Sequence, residues 1–326
     1  MQFCVRSQAI ENKILMKADA DAVGHAGQMP PLYGQGDVAR GTRRRPNIFT
    51  LFCFQAIRSI LVFKGGSPIV KFCVLASGSS GNAALLATDK TRILVDAGLS
   101  MKELAKRLES IGEHLEALDA ILITHEHSDH VSGLPVLARN KKIAATIYMT
   151  RLTAPAIDWG ETEPRLEPFQ AGARLRIGDI DVQSFGIPHD AIDPVGFAFE
   201  AQGVRIGVAT DLGYIPESIK FHLRRTDLLL LEANHDLDML KVGPYPWSVK
   251  QRVMSRVGHL SNHVMAEFLA QDLDSCTNNL VLGHLSEQNN HPAIVNMFAT
   301  QALESRGLAT RMSIATQNSP SEVFRF

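Results

Sequence analysis

The sequence predicts a layered α/β sandwich, and three observations carry that expectation. From Val70 onward, short β-branched or Leu-rich runs alternate with amphipathic segments. The first strands follow one another at hairpin spacing, whereas later ones are separated by helical stretches. No internal repeat and no long heptad pattern competes with this reading.

In chain order, apolar runs place strands at 70–75, 83–87, 92–95 and 120–123. Further strands are expected at 180–185, 195–200, 204–209, 227–231 and 279–282. Helical spacing marks 100–110, 132–139, 216–223, 248–257, 262–271 and 292–306. Ser100 and Ser261 stand as N-caps for two of these, with Glu103 three residues after Ser100 to complete a capping box.

A chain of 326 residues with 45 % apolar content has ample material for a core. Its 33 basic and 34 acidic residues nearly cancel, which argues against a dedicated nucleic-acid coat protein. Four scattered cysteines (Cys4, Cys53, Cys73 and Cys276) form no C-x-x-C pair and read as reduced thiols. Twelve histidines is a generous number, so their placement matters.

Residues 1–69 differ from the rest. They hold the poorly patterned 24-GHAGQMPPLYGQG-36, the cluster Arg43-Arg44-Arg45 and the apolar stretch 48-IFTLFCFQAIRSILVF-63. Gln55, Arg58 and Ser59 interrupt that stretch, which therefore falls short of the ~20 apolar residues of a membrane span. It also lies too far in for a signal peptide and has no clear cleavage site. Valine can be encoded by GTG, an alternative bacterial start codon. The expectation is that 1–69 is upstream translation or a disordered extension and that the working domain, 70–326, begins near Val70. Setting aside the 9 basic and 4 acidic residues of 1–69 leaves 24 basic against 30 acidic, so any nucleic-acid contact must come from a local patch. No membrane role and a cytoplasmic location are expected.

The densest chemistry is 123-ITHEHSDHVSGL-134, directly after an apolar strand. Alternate residues leaving a strand point the same way, so His125 and His127 can grip one ion. Asp129 and His130, where the chain turns into a helix near Ser132, can grip a second. Glu126 and Ser128 are spacers. Imidazole with carboxylate suits Zn²⁺, Mn²⁺ or Fe²⁺. A loop of solvated histidines is the bland alternative, but H-x-H-x-D-H behind a buried strand argues strongly against it. Other metal-capable residues sit just beyond apolar strands: Asp96 in 92-RILVDAG-98, His189 in 186-GIPHDAIDPVGF-197, Asp211 in 207-GVATDLGY-214 and His284 in 280-LVLGHLSEQNN-290.

In these motifs, taken in order, the chain resembles the metallo-β-lactamase fold superfamily over 70–326. The closer resemblance is to its YycJ (WalJ) group of bacterial hydrolases, in 71-KFCVLASGSSGN-82, 210-TDLGY-214, 232-EANHD-236, 244-PYPWSVKQR-252 and 258-GHLSN-262. The resemblance implies a four-layer αββα sandwich and two divalent metal ions. His125, His127 and His189 would hold one ion, and Asp129, His130 and His284 the other. Asp211 would bridge them, with Asp96 orienting a ligand or the bound water.

Two ions ~3.5–4 Å apart supply hydroxide and neutralise substrate charge, which serves lactams, thioesters, lactones and phosphodiesters alike. Other residues choose. His259, ahead of the helix opening at Asn262, resembles the histidine that protonates the leaving oxygen in tRNA 3′-processing nucleases. Glu232 resembles the carboxylate that orients it. Such protonation is worth ~10²–10⁴ in rate for an alkoxide, while a thiolate leaves unaided. A helix-capping or solvated His259 is the alternative, and His235 has no assigned role. The loop 76-ASGSSGN-82, with Ser79, Ser80 and Asn82, could hold an anion through backbone N–H groups or be an ordinary tight turn. Tyr245, Trp247 and Lys250 in 245-YPWSVKQR-252 interleave aromatics with cations as single-strand binders do, or pack as a helix start.

The 73 residues from Asp211 to His284 leave no room for the inserted domain of RNase J nucleases, and no Gly/basic tRNA-gripping arm is present. A nuclease or phosphodiesterase built on the core alone is therefore expected. The resemblance to the YycJ group, which is associated with exonuclease action on DNA, implies 5′→3′ DNA exonuclease action, with hydroxide as nucleophile and His259 as general acid. A tRNA 3′-end endonuclease of the RNase Z kind and a thioester or lactone hydrolase are the rivals. Nucleic acid, DNA ahead of RNA, is the expected partner; a homodimer is left open.

Overall fold

The computed structural model describes residues 70–326. The expectations for 1–69 lie outside the described residues. Two seven-stranded mixed sheets run β14-β1-β2-β3-β4-β5-β6 and β13-β12-β11-β10-β9-β8-β7. In the first sheet, β1 (Val70–Ala76), β2 (Ala83–Thr88) and β3 (Arg92–Val95) form an antiparallel meander. From there β4 (Ala120–Leu122), β5 (Thr146–Thr150) and β6 (Leu166–Phe169) continue in parallel. The second sheet repeats the plan. β7 (Arg174–Ile177), β8 (Ile180–Gly186), β9 (Val195–Ala201) and β10 (Val204–Ala209) are antiparallel. β11 (Leu228–Glu232), β12 (Asn279–Gly283) and β13 (Arg311–Ile314) extend it in parallel, and β14 (Phe324–Arg325) returns to pair with β1.

The period-2 alternation of strands splits the apolar residues into three layers. Phe72, Val74, Leu86 and Leu122 from one sheet meet Phe197, Phe199, Val208 and Leu230 from the other in the central layer. Their neighbours Leu75, Leu85, Leu94 and Ile121 turn outward onto α1 (Met101–Ser110) and α3 (Leu134–Arg139) through Leu104, Leu108, Leu134 and Leu137. On the far side, Leu229, Leu231, Leu280 and Leu282 pack on α4 (Glu217–Leu223), α7 (Asn262–Gln271) and α8 (Pro292–Ser305). These are the four αββα layers expected, and they explain why 228-LLLL-231 is apolar throughout: both of its faces are covered.

Three local expectations are corrected. The helix expected over 132–139 is α3 (Leu134–Arg139), and a separate turn precedes it, in which His127 O accepts from His130 N–H (2.8 Å) and Ser128 O from Ser132 N–H (2.9 Å). Asp129 and His130 thus ride on a single helical turn, α2 (Ser128–Val131). The helix expected over 248–257 is α6 (Trp247–Val253) and stops short. The capping box is half formed: Ser100 Oγ accepts from Glu103 N–H (3.3 Å), but the Glu103 carboxylate turns to Arg107 (2.9 Å) instead. Ser261 caps α7 as expected, accepting from Val264 N–H. The sequence reading passed over β5, β6, β7, β13, β14 and the short α5 (Leu237–Val242). Four of these strands (β6, β7, β13 and β14) are the sheet edges, short and mostly half-exposed, and one carries Pro168.

Candidate metal centre

The C-terminal ends of β3, β4, β8, β10, β11 and β12 bring their following residues to one place. Three of these residues, Asp96 (φ 61°), Asp211 (φ 63°) and His284 (φ 57°), have left-handed backbone. That conformation costs a non-glycine residue ~1–2 kcal/mol and turns each side chain sharply out of its strand. Close packing supports the turns: a Cβ on Gly98 would lie 1.7 Å from Asp129 O, so only glycine lets the turn after β3 lie against the histidine loop.

The donor atoms of His125, His127 and His189 lie within 4.8 Å of one another, as do those of Asp129, His130 and His284. A third set, His125, His130 and Asp211, joins the two. His127 Nδ1 and His189 Nε2 face each other at 3.2 Å. His130 Nε2 is 3.4 Å from both Asp129 Oδ2 and Asp211 Oδ2, and His284 Nε2 is 3.4 Å from Asp129 Oδ2. His125 Nε2 and Asp211 Oδ2 are buried without a hydrogen-bond partner. Orphaned buried acceptors of this kind are costly unless a cation takes them, so the residues fit a divalent metal centre.

The electrostatics agree. Burial and then the neighbouring imidazoles of His130, His189 and His127 hold His125 well below its ordinary pKa, so it is neutral and free to donate a lone pair. Burial would lower His284 too, but Asp211, Asp129 and Glu232 outweigh it and push it up to about 10. His130 is likewise raised by Asp211, Asp96 and Asp129 against burial. Asp129 and Glu232 stay ionised: burial opposes this, and His130 and His284, or His259 and His284, reverse it. Converging carboxylates thus demand positive charge, which divalent ions would supply if bound there.

Asp96 touches ligand candidates rather than open space. Its Oδ2 is 2.8 Å from His130 Nδ1, and its Oδ1 accepts from Thr124 N–H at 2.8 Å. Thr124, which the sequence reading missed, also places its hydroxyl 3.0 Å from His125 Nδ1. Glu232, fully buried, accepts from Leu212 N–H (2.6 Å) and Leu260 N–H (3.2 Å), and its Oε1 meets His259 Nδ1 (2.8 Å) and His284 Nδ1 (3.0 Å). The His259 side chain is 23 % exposed, and Nδ1 carries its only hydrogen bond among the described residues. Glu126 is more than a spacer: its Oε1 accepts from Ile192 N–H (2.8 Å), tying the His189 loop to the histidine motif. His235 is buried with both ring nitrogens unpartnered, and burial lowers it to about 4, a neutral core imidazole.

Most amides of the Gly/Ser loop are spent on structure. Ser77 N–H donates to Thr316 O, Gly78 N–H to Asn82 Oδ1, Ser80 N–H to Gln317 Oε1, Gly81 N–H to Gly78 O and Asn82 N–H to Asp129 O. A nest for an anion needs such amides free, so the Ser80 N–H is spent on buttressing the loop, whereas the exposed Ser79 has no backbone N–H bond among the described residues. Asn82 holds the metal-side loop, its Nδ2 lying 3.1 Å from Asp129 Oδ2. Ser77 Oγ accepts from His284 N–H (2.7 Å), a contact no sequence pattern signals. Lys250 is buried, and its ammonium donates to Lys241 O (2.7 Å), closing α5 rather than reaching outward. Tyr245 is half-buried, whereas Trp247 is 63 % exposed.

Among the described residues no helix is long and apolar enough to cross a membrane. Residues 91–285 match the family described as Beta-lactamase superfamily domain. Exodeoxyribonuclease WalJ of Streptococcus pneumoniae is 41 % identical over 239 residues, covering 70 % of this chain and 88 % of that protein. Exodeoxyribonuclease YycJ of Bacillus anthracis is 38 % identical over 240 residues, covering 72 % and 90 %. Among solved structures, the metallo-β-lactamase fold protein YhfI from Bacillus subtilis superposes with a TM-score of 0.60 at 18 % identity, covering 77 % of this chain and 99 % of its own. Human tRNase Z, short form, gives 0.53 at 17 %, covering 77 % and 98 %. At such identities the likeness is one of fold.

Proposed function

The chain belongs to the β-lactamase superfamily as a metal-dependent hydrolase, and from that premise we propose that it is a DNA exonuclease working from the 5′ end. His125, His127 and His189 would hold one divalent ion, Asp129, His130 and His284 a second, and Asp211 would stand between them. When bound, such ions provide a nucleophile near neutral pH and neutralise charge on the phosphate. The rest belongs to the chain's own side chains. Asp96 and Thr124 fix the ring orientations of His130 and His125.

The observation that carries the reading is the pair His259–Glu232, 2.8 Å apart beside the donor cluster. Burial would lower the His259 pKa, but the Glu232 carboxylate outweighs it and raises the group, favouring the protonated ring. With Nδ1 fixed on Glu232, Nε2 is the atom that delivers a proton to a departing alkoxide. A thiolate leaving group has no need of this arrangement, which argues against a thioester hydrolase. The names of the two 38–41 % identical relatives support DNA as the polymer.

The test is to return Mn²⁺ or Zn²⁺ to metal-free protein and offer end-labelled single- and double-stranded DNA and RNA. The reading expects nucleotides released from the 5′ end of DNA. Internal cuts, or cleavage of RNA alone, would contradict it.

A further inference from the structure

Residues 239–266 contain Lys241, Lys250, Arg252 and Arg256 and no acidic residue, in a domain where acids outnumber bases. Three of these cations are committed. Lys241 pairs with Asp238 (3.1 Å), Lys250 is buried on Lys241 O, and Arg252 is bonded to Asp190. Arg256 is different. It is exposed, and among the described residues no carboxylate lies within ion-pairing distance of its guanidinium. Its only side-chain contact of note is stacking: Cζ lies 4.3 Å from the centre of the Tyr214 ring. Stacking of this kind leaves all five N–H donors of the guanidinium directed away from the ring face and available to an anion.

Both partners are tied to the centre through backbone. Residues 255–258 form a tight turn closed by Gly258 N–H to Ser255 O (3.0 Å), so Arg256 lies within about 7 Å of the residues leading into His259. On the other side, Tyr214 is three residues beyond Asp211, and the chain between them presses on the same turn. A Cβ on Gly213 would lie 2.1 Å from Arg256 O. The neighbouring Val257 O accepts from Asp190 N–H (2.9 Å), and Gly258 O lies 3.2 Å from His189 Nδ1. The turn therefore cannot shift without moving His189, Asp211 or His259.

We propose that Arg256, held flat on Tyr214, binds a backbone phosphate of the retained nucleic-acid strand next to the scissile linkage. This rests on the nuclease reading above. His259 is the proposed proton donor, and the free cation three residues before it meets the phosphate of the retained strand adjacent to the linkage being cut. A planar fork of donors matches a phosphate's oxygens, which a lysine in the same place would meet only as a point charge. The consequence is a preference for strands of several linkages over a dinucleotide.

The experiment measures KM for single-stranded DNA of two and of six or more nucleotides, across a range of salt, for wild type, Arg256→Ala, Arg256→Lys and Tyr214→Ala or Phe. Arg256→Ala is expected to raise KM for the longer strand about five- to tenfold while kcat changes little. It should also flatten the salt dependence of log kcat/KM by about 0.7, the loss of one single-strand phosphate contact. The KM advantage of the longer strand should collapse. Arg256→Lys should recover part of it. Tyr214→Ala should move KM the same way by a smaller factor, and Tyr214→Phe should restore it. Wild type that cleaves DNA while Arg256→Ala keeps its KM, its length preference and its salt slope overturns the role of Arg256 alone. Wild type that cleaves no nucleic acid overturns the reading on which it rests, and this role with it.

Discussion

The two halves of the sandwich contribute to the same centre in opposite styles. The first sheet delivers His125, His127, Asp129 and His130 from one loop of six residues behind β4, plus Asp96 behind β3. The second delivers one residue at a time: His189, Asp211, Glu232, His259 and His284 come from five segments spread over nearly a hundred positions. The concentrated half holds its candidate ligands by their own loop and by Thr124 and Asn82. In the dispersed half, left-handed turns and a single buried carboxylate, Glu232, bind the parts together.

Breaking the joint between the halves should have the largest effect. Asp211→Ala removes the carboxylate that approaches His130 from one half and His284 from the other (3.4 Å each). Turnover is expected to fall more than ~10³-fold and both ions to be lost together, as metal analysis of the purified variant would reveal. Loss of only one ion would mean the halves bind independently. The apolar joint comes next. Phe197→Ala empties the central layer that both sheets share and should cost about 3–5 kcal/mol in chemical denaturation. Separate unfolding of two units in wild type would contradict a common core.

A smaller effect is expected inside the concentrated half. Thr124→Val leaves every proposed ligand in place but removes the hydroxyl between Asp96, His125 and His130, and should weaken metal affinity ~10–100-fold. The same affinity as wild type would show that the loop needs no such support. The smallest concerns the first sheet's margin. Burial would raise the Glu113 carboxyl, but Arg92 (2.7 Å) and Lys71 (3.1 Å) hold it below its ordinary value. Its contribution is therefore present above a pH of ~4.3 and is lost as the pH falls through the folded pKa. Glu113→Gln should cost about 1–2 kcal/mol at neutral pH, a gap that closes below pH ~4. A Tm difference that stays constant from neutral to acid pH would refute the pairing.

The same contrast governs what could be read from the chain. H-x-H-x-D-H is legible because four donors share one loop. His189, Asp211 and His284 could be singled out only as polar residues ending apolar runs. Their φ values, and the way Glu232 meets both His259 and His284, depend on strand order, which no local pattern encodes. The apolar strands were legible where both faces are buried, as in 228–231. The edges β6, β7, β13 and β14 were not, since half-exposed strands carry mixed residues that resemble loops. Lys250 and Ser80 misled for one reason: composition names donors but does not say that Lys241 O or Gln317 already engages them.

His259 is the residue on which the proposed nuclease function depends, since the centre beside it would serve several reactions. His259→Ala, assayed on DNA alongside its metal content, tests it most directly. The expected result is metal content equal to wild type with turnover lowered ~10²–10⁴-fold. Undiminished cleavage of DNA by a fully metallated His259→Ala protein would contradict it.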